Sequence, residues 1–186
     1  MVSGLPRSGT SLMMQMLAAG GLELFYDDAR KPDESNPRGY FEHRLTRGLP
    51  YDANWLSQCT GKVVKIISHL ISYLPAVFHF DIIFMKRDLN EIIRSQNRML
   101  QSLGSPVTDD EDELRRKYEK HLTEIIPWIQ QQENMRLLTV TYQSVINDPK
   151  RESQRIANFL NTNLNISPMV QTVDTNLYRV RNNPQM

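Results

Sequence analysis

Cysteine is nearly absent from this chain of 186 residues, in which Cys59 stands alone. One thiol can form neither an intrachain disulfide nor a cysteine-based zinc cluster, which excludes a secreted disulfide scaffold and makes a reducing, cytoplasmic setting the expectation. Excess charge is missing too. Lys and Arg number 22 against 21 Asp and Glu, so the broad electropositive surface that duplex nucleic acid requires is not expected, and any anion site must be local. Long apolar runs are also lacking, and no stretch approaches the roughly 20 residues of a membrane helix. Arg7 followed by Leu12, Met13, Met14, Met16 and Leu17 resembles a signal peptide only superficially, because Ser11 and Gln15 interrupt the run and its apolar positions recur at helical spacing. The length suits one core, so a single domain over residues 1–186 is expected.

Strand-like and helix-like segments alternate along the chain. Residues 1–5 form a short apolar strand, 4–9 a turn and 10–19 a helix. The β-branched runs at 63–67 and 81–85 read as buried parallel strands, and 136–142 as a fourth. Asp88 with Glu91 makes a capping-box start for a helix carrying Ile92, Ile93 and Met99 on one face. Residues 110–133 hold apolar residues at helical spacing, with Pro127 expected to kink the helix or mark a second start. Asp148 and Pro149 cap and open a further helix. Residues from about 25 to 60 are irregular and long enough to suggest function, and about 163–186 are expected as a C-terminal tail.

Gly4-Leu5-Pro6-Arg7-Ser8-Gly9-Thr10-Ser11 matches the Walker A pattern except that Thr10 fills the lysine slot. The glycines permit a tight turn, successive backbone N–H groups point inward, and the following helix dipole favours phosphate. The fold class expected is α/β, a three-layer P-loop-like fold with a central mostly parallel sheet flanked by helices and ligands at the strands' carboxyl ends. With no lysine, and no clear apolar strand ending in a magnesium-holding Asp, triphosphate hydrolysis loses two of its recurring parts.

Residues 5–11 resemble the 5′-phosphosulfate loop of the sulfotransferases that use 3′-phosphoadenylyl sulfate (PAPS). Two further segments agree. Arg87 at the end of the second strand, followed eight residues later by Ser95, is similar to the family's 3′-phosphate signature. Val140-Thr141-Tyr142-Gln143-Ser144 running into Asp148-Pro149-Lys150-Arg151-Glu152 resembles its strand-plus-helix, where the tyrosine lies near adenine. The resemblance implies in-line sulfuryl transfer from PAPS to a hydroxyl or amine of a small molecule, glycan or peptide, with no metal. It also implies a donor site built from Pro6, Arg7, Ser8, Gly9, Thr10, Ser11, Arg87, Ser95 and Tyr142. The family's C-terminal Arg-Lys-Gly loop is not found in this sequence, and Arg179 and Arg181 are the candidates to replace it.

Among catalytic candidates, Arg7 lies inside the loop where family members carry lysine or arginine. Its guanidinium can clamp charge but hardly donate a proton. Lys65 interrupts an otherwise apolar strand. For the general base three groups stay open: Glu42 and Asp28 by loose likeness to family carboxylates, and His69 by its place after the Lys65 strand. Phe25, Tyr26, Tyr40, Phe41 and Trp55 are expected around an apolar acceptor cleft. Two rival readings remain, a P-loop nucleotide kinase-like enzyme and a PAP- or PAPS-binding protein without catalysis.

Overall fold

A computed structural model describes residues 1–27, 30–33, 36–107 and 110–174. Five short parallel strands organise it: β1 (Val2–Gly4), β2 (Leu24–Phe25), β3 (Val63–Val64), β4 (Phe80–Lys86) and β5 (Met135–Thr141). β4 lies between β1 and β5, pairing Val2 with Ile83 and Met85 with Val140, while β2 pairs with β3. A bridge between Val2 and Lys65, with the Ile66 N–H donating to the Val2 carbonyl at 3.0 Å, joins the two ladders in the order β2-β3-β1-β4-β5. All five carboxyl ends therefore point to one edge, as parallel strands with crossovers require.

Side-chain alternation along β4 builds the layers. Ile83 and Met85 enter a core shared with helix α1 (Thr10–Ala19), α5 (Pro149–Leu160) and α6 (Ile166–Thr172). Ile82 and Phe84 face the opposite side, against Ile125 and Ile129 of α3 (Glu111–Gln130) and against Trp55 and Ile71. Each fully buried aliphatic of this kind contributes roughly 1.5–3 kcal/mol. α2 (Leu89–Ser102) joins through Ile92 and Ile93, which pack on Leu5 and Tyr118. The six-residue α4 (Tyr142–Asn147) follows β5 directly.

The caps read from the sequence are in place. The Asp88 carboxylate accepts the Glu91 N–H at 3.1 Å, and that of Asp148 accepts the Arg151 N–H at 3.0 Å. Three expectations need correction. Pro127 marks no second start: α3 continues through it to Gln130, with the proline in its last turn. The 25–60 segment holds β2 and two 3₁₀ turns, Arg44–Gly48 and Asn54–Cys59. The expected tail holds α6, whose Met169 is fully buried against Gly20 at the end of α1.

A third 3₁₀ turn, Ser68–Tyr73, rests on α3 through stacked histidines. The His69 and His121 rings are 3.9 Å apart, and His121 Nε2 lies 2.9 Å from Ser68 Oγ. Burial, helped by the charge of His69 and opposed by Glu124, pushes His121 down to about 4, and burial also lowers His69.

Replacing Met169 with Ala is expected to cost about 2–5 kcal/mol of unfolding free energy, the usual range for a buried Met-to-Ala change. Equilibrium denaturation measures it, and a loss below about 0.5 kcal/mol, the usual scale of a surface change, would show that α6 lies outside the core. Between the ordinary histidine value of 6.5 and about 4, the unfolded chain binds a proton at His121 that the folded chain refuses. That contribution is complete above the unfolded value and is lost as pH falls through the window. His121→Phe should therefore flatten the dependence of the denaturation midpoint on pH over that interval, and a slope equal to wild type would contradict the assignment.

Candidate active site

The loop between β1 and α1 reaches its shape through three residues at positive φ: Gly4 at 146°, Arg7 at 69° and Gly9 at 101°. Arg7 carries a side chain in that region, a strain of about 1–3 kcal/mol that clusters at functional sites. Gly4 and Gly9 are also fixed by space. A Cβ on Gly4 would stand 2.5 Å from the Met85 carbonyl oxygen, and one on Gly9 2.5 Å from Cδ2 of Tyr142. α1 begins at Gly9 with no side-chain cap and no acidic residue in its first turn. Its leading N–H groups lack intrahelical acceptors, and no carboxylate of its own first turn offsets the positive dipole end.

Pro6, Arg7, Gly9, Thr10 and Ser11 line a cavity of about 530 Å³ at the carboxyl edge of the sheet. Lys65, Arg87, Ser95 and Tyr142 line the same cavity. Ser8 alone of the loop residues expected here turns into the fold, where it is fully buried with its hydroxyl unpaired. Arg7 Nε donates to Ser95 Oγ at 3.0 Å, and an Nη of Arg87 donates to the Arg7 carbonyl at 3.3 Å. Arg87 is held by Glu91, with Nε to Oε2 at 2.8 Å, and its guanidinium carbon sits 4.5 Å from the centre of the Tyr142 ring. Burial lowers the Arg7 pKa, though a guanidinium starts high enough to stay charged, and raises that of Tyr142, keeping the phenol neutral.

Lys65 is buried at 5% exposure. Its ammonium donates to the Tyr40 carbonyl, lies 3.4 Å from Ser11 Oγ and pairs with Glu42 Oε1 at 3.2 Å. Desolvation lowers its pKa, Glu42 opposes that, and the cations Arg30 and Arg7 add to it. Glu42 also meets Arg30 at 3.4 Å, and the Arg30 guanidinium carbon lies over the Tyr40 ring, 3.4 Å from its centre. The Tyr40 hydroxyl donates to Asp33 at 2.7 Å. Cations dominate the walls: Arg30, Arg38 and Arg47 from the 25–60 segment and Arg98 from α2 join Arg7, Lys65 and Arg87, against the carboxylates Glu42 and Asp174. In a chain with a formal net charge of +1 the positive potential is local.

The other expected groups fall elsewhere. His69 does not line the cavity, although its neighbours Ile67 and Leu70 do. A 3₁₀ turn rotates successive side chains by about 120°, so Leu70 faces the site while His69 faces α3. Asp28, Arg179 and Arg181 lie outside the described residues. Of the five aromatics expected around an acceptor cleft, Tyr40 alone lines the cavity. Phe25 stacks on His43 at 4.4 Å and on Trp55 at 5.9 Å, and Phe41 leans on Tyr26 at 5.4 Å, so these rings anchor the segment. Arg30, Asn36, Arg38, Arg47 and Arg98 escaped sequence reasoning. The available signal was the density of arginines in an irregular stretch, which no periodicity orders.

Among the described residues no cluster of three His, Cys, Asp or Glu could hold a metal, and no helix is long and apolar enough to cross a membrane. No curated protein matches the chain. Among solved structures it is similar to the sulfotransferase domain from the curacin biosynthetic pathway, with a TM-score of 0.54 and 14% identity over 93% of this chain and 76% of that one. It is also similar to mouse sulfotransferase SULT7A1 complexed with PAP, with a TM-score of 0.57 and 16% identity over 92% of this chain. It spans 60% of the mouse protein's length. Likeness at these identities concerns the fold, but a family model, the sulfotransferase domain, matches residues 1–184, and the chain belongs to the sulfotransferase family.

Proposed function

We propose that this sulfotransferase holds PAPS across the cavity, with the 5′-phosphosulfate on the Pro6–Ser11 loop and the 3′-phosphate between Arg87 and Ser95. One observation carries the reading: the loop and the Arg87 patch open into one cavity and touch, Arg87 donating to the Arg7 carbonyl at 3.3 Å. Two anion sites of that kind suit the two phosphorylated ends of a single adenosine derivative. Tyr142, beside both Gly9 and Arg87, offers its ring to the adenine.

The acceptor oxygen or nitrogen attacks sulfur in line. A new bond to sulfur forms, the bond from sulfur to the bridging phosphate oxygen breaks, and its electron pair stays on the departing PAP. Charge therefore builds on the leaving oxygen, where preorganised cations and N–H donors lower the barrier. Arg7, Lys65 and the start of α1 supply them. Glu42 takes the acceptor's proton, being the carboxylate that lines the cavity beside Lys65. The acceptor is a hydroxyl or amine on a small molecule, glycan or peptide that enters past the 25–60 segment. We assign the chain to one domain and, with its single thiol, to the cytoplasm.

Calorimetric titration with PAP followed by transfer of labelled sulfate from PAPS to an acceptor panel tests this reading. Saturable PAP binding and chelator-insensitive transfer are expected; absence of PAP binding refutes the reading, and binding with no transfer refutes the catalytic half. Arg87→Ala should weaken PAP roughly tenfold to a hundredfold, the value of a hydrogen bond to a charged group, while leaving AMP affinity nearly unchanged. Lys65→Ala should lower turnover roughly 10²–10³-fold with PAPS affinity little altered, and an unchanged turnover number would remove Lys65 from the reacting centre.

A further inference from the structure

Arg30 was invisible to the motifs, and its contacts with oxygen acceptors near the reacting centre are long. It lines the cavity. A guanidinium carries five N–H donors in a fixed plane. Here Nη1 reaches Glu42 at 3.4 Å to each carboxylate oxygen, a long contact, and among the described residues Nη2 meets the thioether of Met99 at 3.6 Å. Sulfur is a poor substitute for an oxygen acceptor. The plane of the group is nevertheless fixed, since it rests on the Tyr40 ring at 3.4 Å, and Tyr40 is anchored by its hydroxyl bond to Asp33 at 2.7 Å and by its carbonyl, which receives Lys65. Arg30 also lies close enough for its charge to act on both Arg7 and Lys65.

Like charges gathered around Glu42 repel each other in a partly desolvated site, and a structure tolerates that where an anion is to be bound. The loop backbone and Arg7 serve the phosphate, and Lys65 approaches from the β3 side. Arg30 reaches the same Glu42 oxygen from the 25–60 segment, which would border the acceptor. We infer that Arg30 is a further catalytic residue, a cation that contacts the non-bridging oxygens of the transferring sulfuryl group; this rests on the PAPS reading above. The bond changes are those already written, and Arg30 neither gains nor loses a proton. Glu42 links it to them: as Glu42 takes the acceptor's proton, its hold on Arg30 and Lys65 weakens, freeing both cations for oxygen atoms still bearing charge.

The two nucleotides isolate this role, because PAPS carries the sulfuryl group and PAP does not. Wild type, Arg30→Ala and Arg30→Lys are titrated with each nucleotide, and release of labelled sulfate from PAPS is followed with water as acceptor, so no acceptor need be known. In Arg30→Ala, PAP affinity should stay within about twofold while PAPS binds at least about fivefold more weakly, as loss of one charged contact predicts. Sulfate release should fall roughly 10²-fold, with Arg30→Lys recovering part of it and added guanidinium partly restoring the alanine variant. Equal weakening of PAP and PAPS would make Arg30 a scaffold for Tyr40 and overturn the inference, as would unchanged binding of both. If wild type releases no measurable sulfate, the difference between the two affinities decides alone. Failure of wild type to bind PAP defeats the underlying reading and this one with it, whereas wild-type PAP binding with an indifferent Arg30 defeats only this one.

Discussion

The loop after β1 lies so close to the ends of β4 and β5 that a side-chain carbon on Gly4 would crowd the Met85 carbonyl, and one on Gly9 the Tyr142 ring, each at 2.5 Å. Contacts that short are possible only without a Cβ, and the positive φ at both positions would be costly for another residue. Because β1, β4 and β5 are adjacent and parallel, their carboxyl ends emerge side by side, and the loop, Arg87 and Tyr142 are drawn together with no further element between them. The site is thus a consequence of strand order before it is a matter of side-chain chemistry.

Having converged, these groups face an electrostatic problem. Lys65 is almost fully buried, Arg7 and Arg87 are largely covered, and removing such charges from water costs several kcal/mol each unless they are paired. Glu91 answers Arg87, and Glu42 answers both Lys65 and Arg30. Arg7 donates to Ser95, and the charge of Asp33 also favours it. Among the described residues carboxylates are in the minority along the walls, an arrangement that suits a multiply charged anion. This explains how a nearly neutral protein can offer an anion site without a basic surface.

Where structure follows from neighbours in the chain, the sequence revealed it. The loop, α1, the caps at Asp88 and Asp148 and four of the strands rest on glycine, capping chemistry and runs of β-branched residues, all of which act within a few positions. The two-residue β2 and α6 did not stand out, since a strand that short has no period to detect and Met169 earns its burial from contact with α1 across the fold. Among site residues, Arg87 and Ser95 were supplied by resemblance, through an eight-residue spacing, and so was their placement against Arg7. His69 misled because its number in the chain says nothing about which way a 3₁₀ turn points it. Arg30 was missed because its position depends on Tyr40, Glu42 and Met99, none of which is its sequence neighbour.

The division between legible and illegible residues coincides with a division of labour in the cavity. The donor wall comes from strand ends and helix starts, whose geometry the sheet dictates, and such rigid elements can hold reacting groups to the tolerance that in-line displacement demands. The other wall comes from the 25–60 segment, where Arg30, Arg38, Tyr40 and Glu42 are held by side-chain stacking and ion pairs. Glu42 is the stitch between them, since it bonds Lys65 from the sheet and Arg30 from the segment. Glu42 therefore couples the segment to the sheet, so that a shift of Arg30 alters the electrostatic surroundings of Lys65. A fold built this way can vary what it accepts by rewriting one irregular stretch while the chemistry of the donor stays fixed.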